Sequence, residues 1–285
     1  MGTGEAPFSL RNAGAAPVIA IRSCRGHDEL EACVQLEIET WGYDATDVIP
    51  RKAFLVWQKV GGQVIGGFDT EIAAADSGGQ LVGFVLSLPG VKRTNGQLTP
   101  YLHSHMLAVR QAYRNRGLGV ELKLAQRKEA LDRGIRLIEW TFDPLEIKNA
   151  YLNLNKLGAI ARRYEVDFYG VSSSRLQGGL PTDRLVAEWQ LDSPRVGAIL
   201  DGHPAAAQLI EQRILVPASI YEWKASEANR EHALAVQLET ATSFRMPFHV
   251  VWLPPVTPST RNEMEPLNWV PLLRSNAALK SLGAL

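Results

Sequence analysis

Residues 105–119 constrain the fold of this chain more than any other stretch. They read His105-Met106-Leu107-Ala108-Val109-Arg110-Gln111-Ala112-Tyr113-Arg114-Asn115-Arg116-Gly117-Leu118-Gly119 and pass from a β-prone run, through a basic turn, into a helical pattern. A helix that starts here presents backbone N–H groups with no intrahelical acceptor and a partial positive charge, which attract anionic oxygen. Gly117 and Gly119 let that oxygen reach the backbone, and Arg114 and Arg116 add charge beside it. A basic turn with no ligand stays open on the glycines alone.

Two other phosphate motifs fail on spacing. A dinucleotide fingerprint needs a glycine where Leu122 stands, and a P-loop needs Gly-Lys-Ser/Thr where Gly119 is followed by Val120 and Glu121.

The flanking pattern gives the order of elements. Val18–Ile21 reads as a strand, the apolar positions from Leu30 to Ile38 as an amphipathic helix, and Phe54, Leu55 and Trp57 as part of a second helix in a helix and loop region reaching Phe68. Glu71–Ala75 and Leu81–Leu86 read as two antiparallel strands joined by Asp76-Ser77-Gly78-Gly79. A loop to Pro100, a strand at 103–109, a helix at 119–133, a strand at 137–142, a helix at 146–157 with Gly158 as its cap, and strands at 160–169 and 185–191 complete the pattern. The expected fold class is α/β (α+β), a mixed, mostly antiparallel sheet with helices on both faces, plus a C-terminal helical and strand extension.

The expected boundaries are a loose tail at 1–16, a main domain at 17–194, an extension or small domain at 195–252 and a Pro-rich tail at 253–285. In the extension, 205–214 and 222–242 are helical in pattern, and 214–216 and 248–252 are strand candidates.

Composition removes other classes. The 30 basic and 30 acidic residues cancel, so nucleic acid is not an expected partner. The 46% hydrophobic content is that of a globular chain, and no run is long enough for a membrane span. Cys24 and Cys33 are too few for a disulfide framework and read as reduced thiols, and the N-terminus does not read as a signal peptide. A cytoplasmic protein without a metal is expected.

Arg114, Gly117 and Gly119 fill the fixed positions of Arg/Gln-x-x-Gly-x-Gly/Ala between a core strand and a helix, and in this the chain resembles the GNAT acetyltransferase superfamily over about residues 18–192. Thr141-Phe142-Asp143-Pro144-Leu145, with Asn149-Ala150 and Asn153-Leu154, resembles a branch with a C-terminal extension. The resemblance implies an acetyl-coenzyme A or other acyl-coenzyme A co-substrate. It implies that the motif strand and the next strand splay around the pantetheine arm, that the backbone of Leu107, Ala108 and Val109 hydrogen-bonds the arm, and that Arg114, Asn115, Arg116, Gly117, Leu118 and Gly119 hold the pyrophosphate. Asn149 would contact the arm from the other side, or else act as a helix N-cap.

Amine acylation needs a base for the ammonium proton and an acid for the departing thiolate. The candidate bases are His105, titratable near neutral pH, and Asp143, at the end of the fifth strand, which could equally cap the Pro144 turn. Strand alternation puts His103 and His105 on the same face as Leu107, which weighs against a place in a cleft. The position where many relatives carry an acidic Tyr holds Leu154, and Tyr151, one turn earlier, is the substitute. Two functions follow: an N-acyltransferase acting on a small-molecule amine or amino acid, or a non-catalytic acyl-coenzyme A binding or sensing module. The apolar residues of 205–252 need burial on the main domain or on a second subunit of a homodimer.

Overall fold

The computed structural model describes residues 17–72, 78–94, 96–203, 212–213, 216–245, 248–253 and 270–275. The expected helix at 205–214 falls almost wholly outside them.

Strand β1 (Ile19–Ser23) leads to α1 (Gly26–Trp41) and α2 (Arg51–Lys59), then to β2 (Gln63–Asp69), β3 (Gln80–Thr94) and β4 (Gln97–Val109). Helix α3 (Leu118–Asp132), β5 (Leu137–Phe142), α4 (Ile147–Ala150) with a π-helical continuation at Tyr151–Lys156, β6 (Ile160–Glu165) and β7 (Arg184–Gln190) follow. The sheet order is β1-β2-β3-β4-β5-β7-β6, antiparallel except for β4 and β5, and this is the mixed α/β architecture expected from the sequence.

Two expectations about strands are corrected. The second strand is Gln63–Asp69, where a glycine pair suggested loop, and not Glu71–Ala75, of which 73–77 lie outside the described residues. Gly67 allows close packing: a Cβ there would lie 3.0 Å from Leu118 Cδ1, so any larger residue would push the Leu118 side chain of α3 off β2. The presumed loop before Pro100 is instead the far end of a long β3–β4 hairpin, paired from Gly83↔Val109 out to Thr94↔Gln97. Pro89 and Pro100 lie beyond Ser87, the last β3 residue paired with β2, so their missing N–H groups weaken no central ladder.

Helices cover both faces. On one, α1 and α2 bury Leu30, Cys33, Leu36 and Phe54 against Phe84, Leu86, Met106 and Ala108. On the other, Leu118 and Leu122 of α3 pack on Ile65, Val82 and Val85. Cys24 and Cys33 are free, buried thiols with Sγ atoms 3.7 Å apart.

The C-terminal part shares the largest core. Helices α5 (Pro194–Leu200), α6 (Ile220–Ala225) and α7 (Arg230–Arg245) place Val196, Ile220 and Ala233 in the cluster that holds Trp140, Leu145, Leu154 and Trp189. Pro194 is the first residue of α5, with the Ser193 hydroxyl as its N-cap. Short strands β8 (Gln212–Arg213), β9 (Phe248–Leu253) and β10 (Val270–Ser275) continue the sheet beyond β6. The last of these lies within the stretch read as a Pro-rich tail, and there Pro271 pairs with Trp252 of β9. Among the described residues no helix is long and apolar enough to cross a membrane.

Trp189 is fully buried, stands edge-on to Trp140 and donates its indole N–H to the Leu157 carbonyl at 2.7 Å. Trp189→Ala should cost about 3–5 kcal/mol in denaturant unfolding, as a large cavity plus an orphaned carbonyl.

Candidate active site

The two central strands diverge. β4 and β5 run parallel but pair only at Leu102↔Ile138 and His103↔Glu139, so from Ser104 and Trp140 onward a fork opens between them. A β-bulge starts it: Leu86 pairs with Met106 and Ser87 with Ser104, which leaves His105 as an extra residue on β4. Past the bulge, Arg110 N–H donates to Val82 O, and the two-residue alternation of an antiparallel ladder then turns the backbone groups of Leu107 and Val109 towards the fork and those of Ala108 towards β3. Of the three residues implied to bind the arm, Leu107, and Val109 through its N–H, face that edge. The Val109 carbonyl accepts a hydrogen bond from Arg114 Nε at 2.8 Å.

At the end of β4 the turn has the form of an anion cradle. Asn115 (φ 60°) and Gly117 (φ 87°) are in the left-handed region, and Gly117 is the N-cap of α3. Among the described residues, the backbone N–H groups of Asn115, Arg116, Gly117, Leu118 and Gly119 have no protein acceptor. A Cβ built on Gly117 would meet nothing nearer than Glu121 Oε1 at 4.0 Å, so the space over the cradle is open. A cavity of about 590 Å³ lined by Pro17, Ile19, Tyr113, Arg116, Leu118 and Glu121 adjoins it on the β1 side, away from the fork.

The bulge also overturns the face expected for His105. Leu107 packs with the α3 face, whereas His105 and Met106 both turn to the α1–α2 face: Met106 lies in its core, and the His105 ring stands edge-on to Trp57 of α2 at 6.3 Å. His103 lies 6.0 Å from His105 on that face. The objection from alternation is removed, because the extra residue resets the period at the fork. Burial, helped by His103, pulls His105 down to about 4, and burial also lowers His103, against the pull of Glu139. Both imidazoles are accordingly neutral at pH 7. Glu139 is buried between Lys92 and Arg163, with Arg163 3.2 Å away.

The β5–α4 corner brings together Asp143, Glu146 and a residue from the extension. Lys224 of α6 donates to Asp143 Oδ2 at 2.6 Å and to Glu146 Oε1 at 3.1 Å, and Asp143 Oδ1 accepts the Leu145 N–H at 2.8 Å. Both Asp143 oxygens are thus engaged, one of them in the capping role. Burial alone would lower Lys224, but the two carboxylates overcome it and hold it high. Asn149 is exposed as the third residue of α4 and is not its N-cap. Tyr151 is half-buried at the start of the π-helical turn, with Lys156 over its ring at 5.5 Å, while Leu154 is buried in the core.

On the α1–α2 face, the 42–50 loop and the 166–183 loop are tied together. Asp44 N–H donates to Ser173 Oγ at 3.0 Å, and Ser173 donates to Asp47 Oδ2 through both its N–H and its hydroxyl. Beneath them the Tyr169 hydroxyl lies 2.9 Å from Thr141 Oγ1 on β5, and Trp41 stacks on Tyr43. Among the described residues no cluster of ligand side chains suits a metal ion.

Sequence reading missed Glu139, Lys224 and Lys123, the last a fully buried amine on α3. Only Lys123 left a signal: it follows Leu122 in a helix whose apolar positions, Leu118, Leu122 and Ala125 on one edge and Leu124 and Leu131 on another, are not confined to one side.

Residues 30–151 match the model of the acetyltransferase (GNAT) family. The chain carries a GNAT acetyltransferase domain. The structure of Arabidopsis thaliana NAA60 in complex with acetyl-CoA is similar, at TM-score 0.51 and 16% identity over 62% of this chain and 100% of that one. Salmonella typhimurium yncA with acetyl-CoA (TM-score 0.47, 17% identity, 66% and 99% covered) also matches. So does the ribosomal-protein-S18-alanine N-acetyltransferase of Escherichia coli (0.45, 14%, 62% and 96%). At these identities the first of them shows that the GNAT domain has the fold of the family, and the other two add no argument. No curated protein matches the sequence.

Lys224→Met would leave two half-buried carboxylates of the GNAT domain without their cation, and should cost about 2–4 kcal/mol in chemical unfolding, with partial recovery in Lys224→Arg. His105 supplies a pH test. Its folded-state value lies below the unfolded one, so its contribution to stability is complete above about pH 6.5 and is lost as pH falls towards 4. The imidazole NMR signals of His105 should stay those of the neutral ring down to about pH 5.

Proposed function

We propose that this chain is an acyl-coenzyme A-dependent N-acyltransferase that moves an acetyl or larger acyl group to the amine of a small molecule or amino acid. The observation that carries the reading is the fork: two parallel strands that stop pairing at His103↔Glu139, with unclaimed backbone groups on one edge and the open cradle at 115–119 at its mouth.

In this reading the co-substrate supplies an activated acyl carbonyl with a good leaving group. Leu107 and Val109 hold its amide arm as a third strand would, and the N–H groups of 115–119 with Arg114 and Arg116 hold its pyrophosphate. Asn149, exposed near the mouth, borders the arm on the other side. The acceptor enters from the α1–α2 face under the tied loops. Proton removal falls to the two neutral imidazoles at the fork. His105 is nearest the opening but holds a proton poorly, and His103, with Glu139 behind it, is the stronger base of the pair. Asp143 is assigned to holding the corner, since both its oxygens are engaged. Tyr151 is the candidate acid for the thiolate. Use of a coenzyme A thioester favours the cytoplasm.

The burial of Leu154, where many relatives carry the acid, favours a second reading, a module that binds acyl-coenzyme A without turning it over. Thiol release from acetyl and succinyl donors with pooled amines and amino acids separates the two: turnover supports the transferase, and tight binding without turnover supports the module. Gly119→Glu, in the first turn of α3 with room for a Cβ, should weaken coenzyme A binding by at least about a hundredfold, because a carboxylate would occupy the pyrophosphate position. Unchanged calorimetric affinity in the folded variant would remove the cradle from the donor site. His103→Ala and His105→Ala should each lower kcat by about a hundredfold with donor affinity kept; a loss of a few fold in both would return the pair to packing.

A further inference from the structure

The α3 face of the fork holds a group that the proton transfers above do not use. Lys123 is buried, and its Nζ donates to Ser104 Oγ at 2.8 Å and to Gln126 Oε1 at 3.3 Å and lies 3.8 Å from the centre of the Trp140 ring. Ser104 and Trp140 are the residues that directly follow the last β4–β5 pair. A single ammonium therefore spans the two strands at the point where their own hydrogen bonding stops.

Its surroundings are polar but hold no counter-ion. Ser104 also donates to Gln126 Oε1 at 3.1 Å, the Gln126 carbonyl accepts from Gln63 Nε2, Gln63 Oε1 accepts from Ser87, and Gln126 Nε2 is buried without a partner. Among the described residues no carboxylate lies within ion-pair distance of Lys123 Nζ, and burial draws the amine down to about 7. The titratable and charged groups that face the fork from the far side of the sheet are the neutral imidazoles of His103 and His105 and the charged Glu139, with Lys92 and Arg163 beside it. A methionine would fill the same volume without the cost of a buried unpaired charge, so this lysine reduces the stability of the fold at the one place where the strands part. Sites that break a local rule in this way are where function is expected.

We propose that Lys123 is a positioning residue of acyl transfer, a brace that fixes the width of the fork and sets positive charge beneath the acyl carbonyl of the donor. The inference rests on the fork being the donor site. Loss of the Lys123 proton removes the charge and weakens the brace, so donor affinity falls as pH rises through neutrality. By linkage, bound donor raises the proton affinity of Lys123.

The test is calorimetric binding of acetyl-coenzyme A, without acceptor, from pH 6 to pH 9 to the full chain and to Lys123→Met and Lys123→Arg, at a temperature where circular dichroism shows all three folded. Titration of the donor's own phosphates is common to the three proteins, so the difference between them reports Lys123. The wild-type affinity should exceed that of the methionine variant by about tenfold at pH 6, with the gap closing by pH 9. Arginine, which stays charged, should keep a constant advantage over the methionine variant across the range. If the methionine variant binds as tightly as the wild type at pH 6, the brace is wrong while the donor site stands. If the wild type itself fails to bind at any pH, both fall.

Discussion

The limited pairing of β4 with β5 is the constraint on which the rest of this domain depends. Two residue pairs hold the strands together, and beyond them neither strand has a partner on that side. Backbone groups left unpaired inside a sheet are costly unless something replaces the missing strand. The protein meets part of that cost by itself, because Arg114 covers the Val109 carbonyl. At the apex Lys123 links the side chains of Ser104 and Trp140. What stays uncovered has the shape and polarity of an extended amide chain.

Divergence needs a local cause, and the bulge at His105 provides it. One extra residue bends β4 and turns two successive side chains, His105 and Met106, to the same face. The titratable imidazoles thereby reach the α1–α2 face while Ser104 and Leu107 stay with α3. The sheet thus separates a face with neutral imidazoles and tied loops from a face with a buried lysine, and the fork lies between them.

The C-terminal part belongs to this arrangement energetically. Its helices fill the core beneath β5 and β7, and Lys224 engages both carboxylates of the β5–α4 corner. The corner's geometry is consequently shared between the GNAT domain and its extension, which explains why Asp143 is not a free carboxylate.

The sequence by itself determined the strand–turn–helix at 105–119, because two glycines and two arginines at fixed spacing mark a local structure that needs no distant partner. It determined β5, α3 and the fold class for the same reason: their periodicity is written in neighbouring residues. It did not determine β2, since Gly66 and Gly67 read as loop until Phe68 and Leu81 on one face and Leu118 of α3 on the other are seen to crowd the places of their missing side chains, nor the strand at 270–275, in a stretch that read as a Pro-rich tail. Only the tertiary structure decided the face of His105, because a bulge is a mismatch between two strands and appears in neither alone. Likewise, the partners of Lys123 and Lys224 lie 19 and 81 positions away, at Ser104 and Asp143, and only the fold brings them together.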